Sequence, residues 1–236
     1  MGSCDAFSSG KGASGVIQRH GPNERGRDFI VGDIHGQWGL LHDRLNAVGF
    51  DRQRDRLFSV GDLIDRGADS LQCLSLALEP WFYAVRGNHE MLAYDALLGE
   101  ERGSLKARDA WMINGGTWAL EAGLAEAQTM LQQALPHMPY AREIAVAGKR
   151  LGIVHAEPPA DWRDIVTPSQ DQLWGRTRIR RGDETPVSGI DAVVVGHTIV
   201  ERPLWLGNVH YIDTGAFTTG RLTLIEACTL MSGVGS

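Results

Sequence analysis

Three times before residue 100 the chain drives an apolar run into a glycine-containing loop that carries acids, histidines or an asparagine, then resumes with apolar residues at helical spacing. Phe29-Ile30-Val31 breaks into GDIHG (32–36), followed by Trp38, Leu41, Leu45 and Val48. Leu57-Phe58-Ser59-Val60 runs into GDLIDRG (61–67), then Leu71, Leu74 and Leu78. Trp81-Phe82-Tyr83-Ala84-Val85 runs into RGNHE (86–90), then Met91, Leu92, Leu97 and Leu98. Each copy predicts strand, loop and helix. Repeated, the unit predicts an α/β chain with helices laid against a sheet, and ligands at the carboxyl ends of its strands.

Beyond these units, residues 105–135 predict several short helices interrupted at Asn114-Gly115-Gly116 and at Glu121-Ala122-Gly123-Leu124, a small cap over part of the sheet. Residues 143–154 predict a hairpin turning at Gly148-Lys149 and ending in Val154-His155. Ala192-Val193-Val194-Val195 runs into GHT, Val209-His210-Tyr211-Ile212 into DTG, and Leu222–Glu226 is a final strand. A Gly-, Ser- and Arg-rich stretch predicts a flexible leader over residues 1–26, one αβ-layered domain fills 27–228, and 229–236 is a short tail. Strand order is left open by these patterns.

Composition excludes other classes. With 43% hydrophobic and 22% charged residues the 236-residue chain is globular. Its 23 basic and 29 acidic residues give a formal charge of −6, so no overall basic excess points to nucleic acid or a membrane surface. No long apolar run or signal-type leader is present, which predicts a cytoplasmic protein. Cys4, Cys73 and Cys228 show no metal or disulfide spacing. Neither GxxxxGK[ST] nor GxGxxG occurs, so no nucleotide cradle is expected. The seven tryptophans lack basic interleaving and suit core or groove walls, and His210, alternating within a strand, suits a structural role.

Asp33, His35, Asp62, Asn88, His155 and His197 stand at or just past five predicted strand ends. Oxygen and imidazole donors brought together there suit manganese, iron or zinc. Two such ions held about 3.5 to 4 Å apart need a ligand between them, and a carboxylate such as Asp62 serves best. The resulting positive centre favours a phosphate dianion. Asp65 is placed to orient His89 through one ring nitrogen, leaving the other to protonate a leaving oxygen. Arg66 and Arg176 are candidates to clamp phosphate oxygens with paired donors.

These motifs, in this order, resemble those of the metal-dependent serine/threonine phosphoprotein phosphatases within the calcineurin-like metallophosphoesterases, especially the bacterial and bacteriophage lambda type. The resemblance spans roughly Arg27 to Glu226. It implies a central β-sandwich flanked by helices with a small helical cap, where the strand patterns alone do not separate a sandwich from one open sheet. It implies two divalent ions, manganese foremost, with iron, zinc or nickel as alternatives. Asp33, His35 and Asp62 would hold one, and Asp62, Asn88, His155 and His197 the other. His89, Asp65, Arg66 and Arg176 take the catalytic roles. The implied reaction is attack by metal-bound hydroxide on phosphoserine or phosphothreonine, with phosphotyrosine left open; the partners are phosphorylated proteins or peptides, and small aryl phosphates in vitro. Alternatives are a symmetrical dinucleoside tetraphosphate hydrolase and a non-catalytic phosphopeptide-binding module. One departure is Glu157 in HAEPP, where relatives more usually carry Asp; the longer side chain predicts a displaced contact.

Overall fold

A computed structural model describes residues 16–100 and 102–233. Ten strands occur among them: β1 (Ile17–His20), β2 (Asp28–Val31), β3 (Arg56–Ser59), β4 (Phe82–Ala84), β5 (Ala141–Val146), β6 (Lys149–Val154), β7 (Ala192–Val195), β8 (Leu204–Leu206), β9 (Val209–Tyr211) and β10 (Leu224–Glu226). Helices α1 (Trp38–Ala47), α2 (Ser70–Ser75) and α3 (Asn88–Leu97) follow β2, β3 and β4, as the three sequence units require. The cap is built from α4 (Leu105–Trp111), a π-helical turn (Met112–Gly116), α5 (Trp118–Ala122) and α6 (Leu124–Ala134). It rests on α2 and α3.

Two sheets form. One has the order β10-β2-β3-β4, with β2, β3 and β4 parallel and β10 antiparallel at its edge. The other has the order β1-β5-β6-β7-β9-β8 and mixes parallel with antiparallel pairs. The period of two in each strand explains how they meet. Ile30, Phe58, Val60 and Val85 pack with Ile144, Leu151, Ile153 and Val194 between the sheets. Their neighbours Phe29, Val31 and Leu57 face the helices. Val193, Val195 and Val209 cover the far side of the larger sheet with Trp162 and Val187. Because β2, β3 and β7 are buried on both faces, they read as continuous apolar runs, which suits one sheet or two equally. The architecture is the sandwich flanked by helices.

Two elements cross the expected domain limits. Ile17–His20, placed in the leader, is an edge strand paired in parallel with β5. Its side chains Gln18 and His20 accept from the buried Arg142 guanidinium, so polar residues alternate where an apolar pattern would have announced a strand. At the other end, α7 (Ala227–Ser232) runs into the expected tail and buries Leu230 and Met231. Residues 1–15 of the leader, with Cys4, lie outside the described residues.

Candidate metal centre

The loops after β2, β3, β4, β6 and β7 converge. Backbone N–H groups of Ile34 and His35 donate to Asp62 O, at 3.1 and 2.9 Å, locking the first two loops together. The N–H of His197 donates to Asp33 Oδ2 at 3.0 Å, and that of His89 to Asp62 Oδ1 at 3.0 Å. Glu90 braces the second and third loops: its carboxylate accepts from the N–H groups of Asp62 (3.1 Å), Leu63 (2.8 Å) and Gly87 (2.8 Å). A Cβ on Gly87 would overlap Asp62 Oδ1, so the approach requires glycine. The geometry is strained as well as braced. His35, Asp62, Asp65, Arg66 and His197 all have φ between 48° and 73°, a region that costs an L-residue about 1 to 2 kcal/mol.

Asp62 Oδ2 occupies the middle of the site, 3.6 Å from His35 Nε2 and 3.4 Å from His155 Nε2. Asp62 belongs both to a donor group with His35 and His89 and to one with His155 and His197. Asn88 Oδ1 lies 2.8 Å from His155 Nε2 and 2.9 Å from His197 Nδ1. All six expected ligand residues are thus buried and brought together.

The donor chemistry fits cations. His155 Nδ1 donates to Val60 O at 2.7 Å, which aims Nε2 at Asn88 Oδ1 and Asp62 Oδ2; burial opposes charge on this ring, but the Asp62 carboxylate outweighs it and raises the imidazole above its usual value. His35 Nδ1 likewise donates to Ile64 O at 2.9 Å and leaves Nε2 as an acceptor. Asp33 Oδ1 and His197 Nε2 are buried without a hydrogen-bond partner. Burial, with repulsion from Asp213 and Asp62, pushes the Asp33 carboxyl well above its usual range. Burial opposes charge on Asp62 too, but the His155, His89 and His35 imidazoles outweigh it and hold that carboxyl well below the usual range. Burial and nearby positive charge lower His35 and His197 to about 3, keeping their lone pairs available near neutral pH. Divalent ions would satisfy these converging acceptors.

The proposed catalytic groups flank this centre. His89 Nδ1 lies 2.8 Å from Asp65 Oδ2. Arg66 reaches His35 Nε2 at 2.6 Å and His89 Nε2 at 2.9 Å, with its guanidinium 4.4 Å from the Phe217 ring centroid. On the His197 side, Arg176 donates to Thr198 Oγ1 at 3.3 Å and His197 O at 3.5 Å. Glu157 accepts from the N–H groups of Thr177 (2.6 Å) and Arg178 (3.1 Å), capping the short helix Thr177–Arg181 that begins just after Arg176. Its carboxylate thus holds the backbone that follows Arg176.

Sequence reasoning missed three contributors. Glu90 stands in RGNHE, but nothing in that motif announces its reach across to the second loop. Asp213 carried a signal in DTG after a strand; burial, with Asp62 adding repulsion, pushes its carboxyl up to about 6. Phe217 has no motif to announce it. His210, expected to be structural, stacks on Trp205 at 4.2 Å.

A β-sandwich with these loops at its strand ends defines a metallophosphoesterase, and comparison with known proteins agrees. Residues 29–201 match the family model described as calcineurin-like phosphoesterase, and the chain belongs to that family. It is 45% identical to serine/threonine-protein phosphatase 1 of Salmonella typhimurium over 206 residues, 83% of this chain and 89% of that protein. It is 34% identical to serine/threonine-protein phosphatase 2 of Escherichia coli, over 84% of this chain and 91% of that one. A symmetrical bis(5'-nucleosyl)-tetraphosphatase of Actinobacillus pleuropneumoniae matches at 38% over 76 residues, 31% of this chain and 28% of that protein. The fold is shared with a crystal structure of a candidate diadenosine tetraphosphatase (TM-score 0.63, 23% identity, 91% of this chain and 94% of that one). A serine/threonine phosphatase from Saccharomyces cerevisiae also shares it (TM-score 0.58, 16% identity, 85% of this chain and 71% of that one).

Proposed function

We propose that this chain is a serine/threonine phosphoprotein phosphatase with two divalent ions, manganese first among the candidates, acting on phosphoserine and phosphothreonine monoesters and open to phosphotyrosine. The observation that carries the reading is Asp62 Oδ2, a carboxylate oxygen between the imidazoles of two donor groups, 3.6 Å from His35 and 3.4 Å from His155. Similarity along most of the chain to phosphatases of Salmonella typhimurium and Escherichia coli supports phosphoproteins as the substrate class. Residues 17–232 act as one catalytic domain in this reading. Cys73 and Cys228 are unpaired, in keeping with a cytoplasmic location. No helix among the described residues is long and apolar enough to cross a membrane.

Asp33, His35 and Asp62 would hold one ion, and Asp62, Asn88, His155 and His197 the other. When bound, such a pair neutralises a phosphate dianion and brings the pKa of coordinated water toward neutrality. Arg66 and Arg176 offer paired N–H donors to phosphate oxygens from the His89 and His197 flanks. When Arg66 turns from His89 Nε2 onto phosphate, that nitrogen is free to take up a proton from solvent and pass it to the leaving oxygen. Asp65 meanwhile holds the ring through Nδ1. Phosphate and the free alcohol result, with no phosphoenzyme.

Hydrolysis of a dinucleoside tetraphosphate is the second reading, favoured by the partial match to that enzyme class. A panel of phosphoserine, phosphothreonine and phosphotyrosine peptides with diadenosine tetraphosphate, assayed after defined metal loading, separates them. Faster turnover of the phosphopeptides is expected. Preference for the dinucleotide would replace the first reading with the second, and no hydrolysis of any substrate, phosphate and ADP both being followed, would leave a binding module.

A further inference from the structure

The Asp65 carboxylate is fully buried, and its two oxygens face different partners. Oδ2 faces His89 Nδ1 at 2.8 Å. Oδ1 accepts two indole N–H groups, from Trp111 at 2.9 Å and Trp118 at 2.8 Å. An indole nitrogen can only donate, so the direction of both bonds is fixed. Buried tryptophans that merely fill a core satisfy their N–H on any nearby carbonyl. These two come from different helices of the cap and meet on one carboxylate oxygen, whose twin holds the proton-donating ring.

The segment joining them is shaped to the same end. Trp111 closes α4, Trp118 opens α5, and their rings pack edge to face at 6.2 Å and 83°. In the π-helical turn between them, a Cβ on Gly116 would lie 2.7 Å from the Trp111 indole, so glycine is needed for the ring to lie where it does. The Gly115 carbonyl accepts the Arg66 N–H at 2.9 Å, holding a loop in which Asp65 and Arg66 have φ of 73° and 72°. The cap therefore grips both the side chain of Asp65 and the backbone beside it.

We propose that Trp111 and Trp118 are positioning residues for proton delivery: by fixing the plane of the Asp65 carboxylate they fix the His89 ring, which makes the cap part of the catalytic apparatus. The proposal rests on the reading of His89 as the general acid. Two donors on Oδ1 compensate a buried charge and leave Oδ2 a single orientation toward His89. With one indole N–H removed, the carboxylate gains freedom to rotate and the imidazole loses its alignment to the leaving oxygen.

The test is Trp118→Phe, with Trp111→Phe as an independent second variant, each alone and combined with His89→Asn, in manganese-loaded enzyme of measured metal content. Turnover of phenyl phosphate, a poor leaving group, is expected to fall about tenfold or more, the scale of a hydrogen bond to a charged group. Turnover of 2,4-dinitrophenyl phosphate, which needs little protonation, is expected to fall less than about twofold. Metal content stays at the wild-type level, and the substitution adds no further loss in the His89→Asn background. The Nδ1 proton signal of His89, identified by its disappearance in His89→Asn and followed by NMR in the zinc-loaded protein, is expected to move upfield and exchange faster. Equal losses on both esters, additive losses with His89→Asn, or an unmoved signal would overturn the proposal. Should His89→Asn itself slow both esters equally, the general-acid reading fails instead, and the His89 signal alone decides whether the indoles hold the ring.

Discussion

Asp62 and Arg176 show how two residues of one site fail differently. Asp62 joins both donor groups while its Oδ1 accepts the His89 N–H, so its removal disturbs ligation and the placement of the third loop together. Asp62→Asn is expected to lower the content of both ions by elemental analysis. Its turnover should fall by more than the roughly hundredfold typical of losing an outer partner of a ligand. Arg176 touches His197 only through its backbone carbonyl. Arg176→Ala should keep metal content and raise KM for a phosphopeptide about tenfold, the expected loss for a charge-assisted contact. The six donors were legible because each ends an apolar run, where an ordinary turn needs no histidine. Glu90 was not, because its carboxylate accepts from a loop 27 residues away in sequence. The tryptophans were legible only as buried mass, since the direction of an indole N–H is set by tertiary contact.

Single elements carry functions that their sequence hides. The helix Thr177–Arg181 is five residues long, and Glu157 caps its start through two backbone N–H groups. An unsupported helix of that length is marginal in water. Glu157→Ala is therefore expected to loosen Arg176 and raise KM several-fold, about half the effect of Arg176→Ala in free-energy terms, with metal content unchanged. Glu157→Gln, which keeps an acceptor, should recover most of the loss. The strand, loop and helix units were readable because hydrophobic period and turn residues are local properties. Strand β1 was not, because its inward side chains Gln18 and His20 are polar and make sense only beside Arg142. The division into two sheets escaped for a related reason: strands buried on both faces carry no alternation to say which neighbour covers them.

Across the whole molecule, burial of neutral histidines predicts acid sensitivity. Burial, with Arg142 and Arg56 nearby, lowers His20 to about 3, and burial lowers His210 to about 4. Both lie outside the metal centre. Below the unfolded value of 6.5 the unfolded chain binds protons that the native chain refuses. Stability should hold above that pH and fall as pH drops toward 4, each histidine contributing up to about tenfold in the folding constant per pH unit. His20→Gln, which keeps an acceptor for Arg142, should flatten the slope measured by denaturant unfolding; an unchanged slope would remove His20 from the account. The sandwich brings donors from five strand ends to one place, and the proposed function depends on their sharing a pair of cations. The most direct measurement is metal content by elemental analysis on the folded protein, paired with phosphate release before and after chelation. Two ions per chain, loss of turnover on chelation and its return with manganese are expected. A protein that binds no such pair under any supplementation, or that keeps full turnover after thorough chelation, would contradict the account.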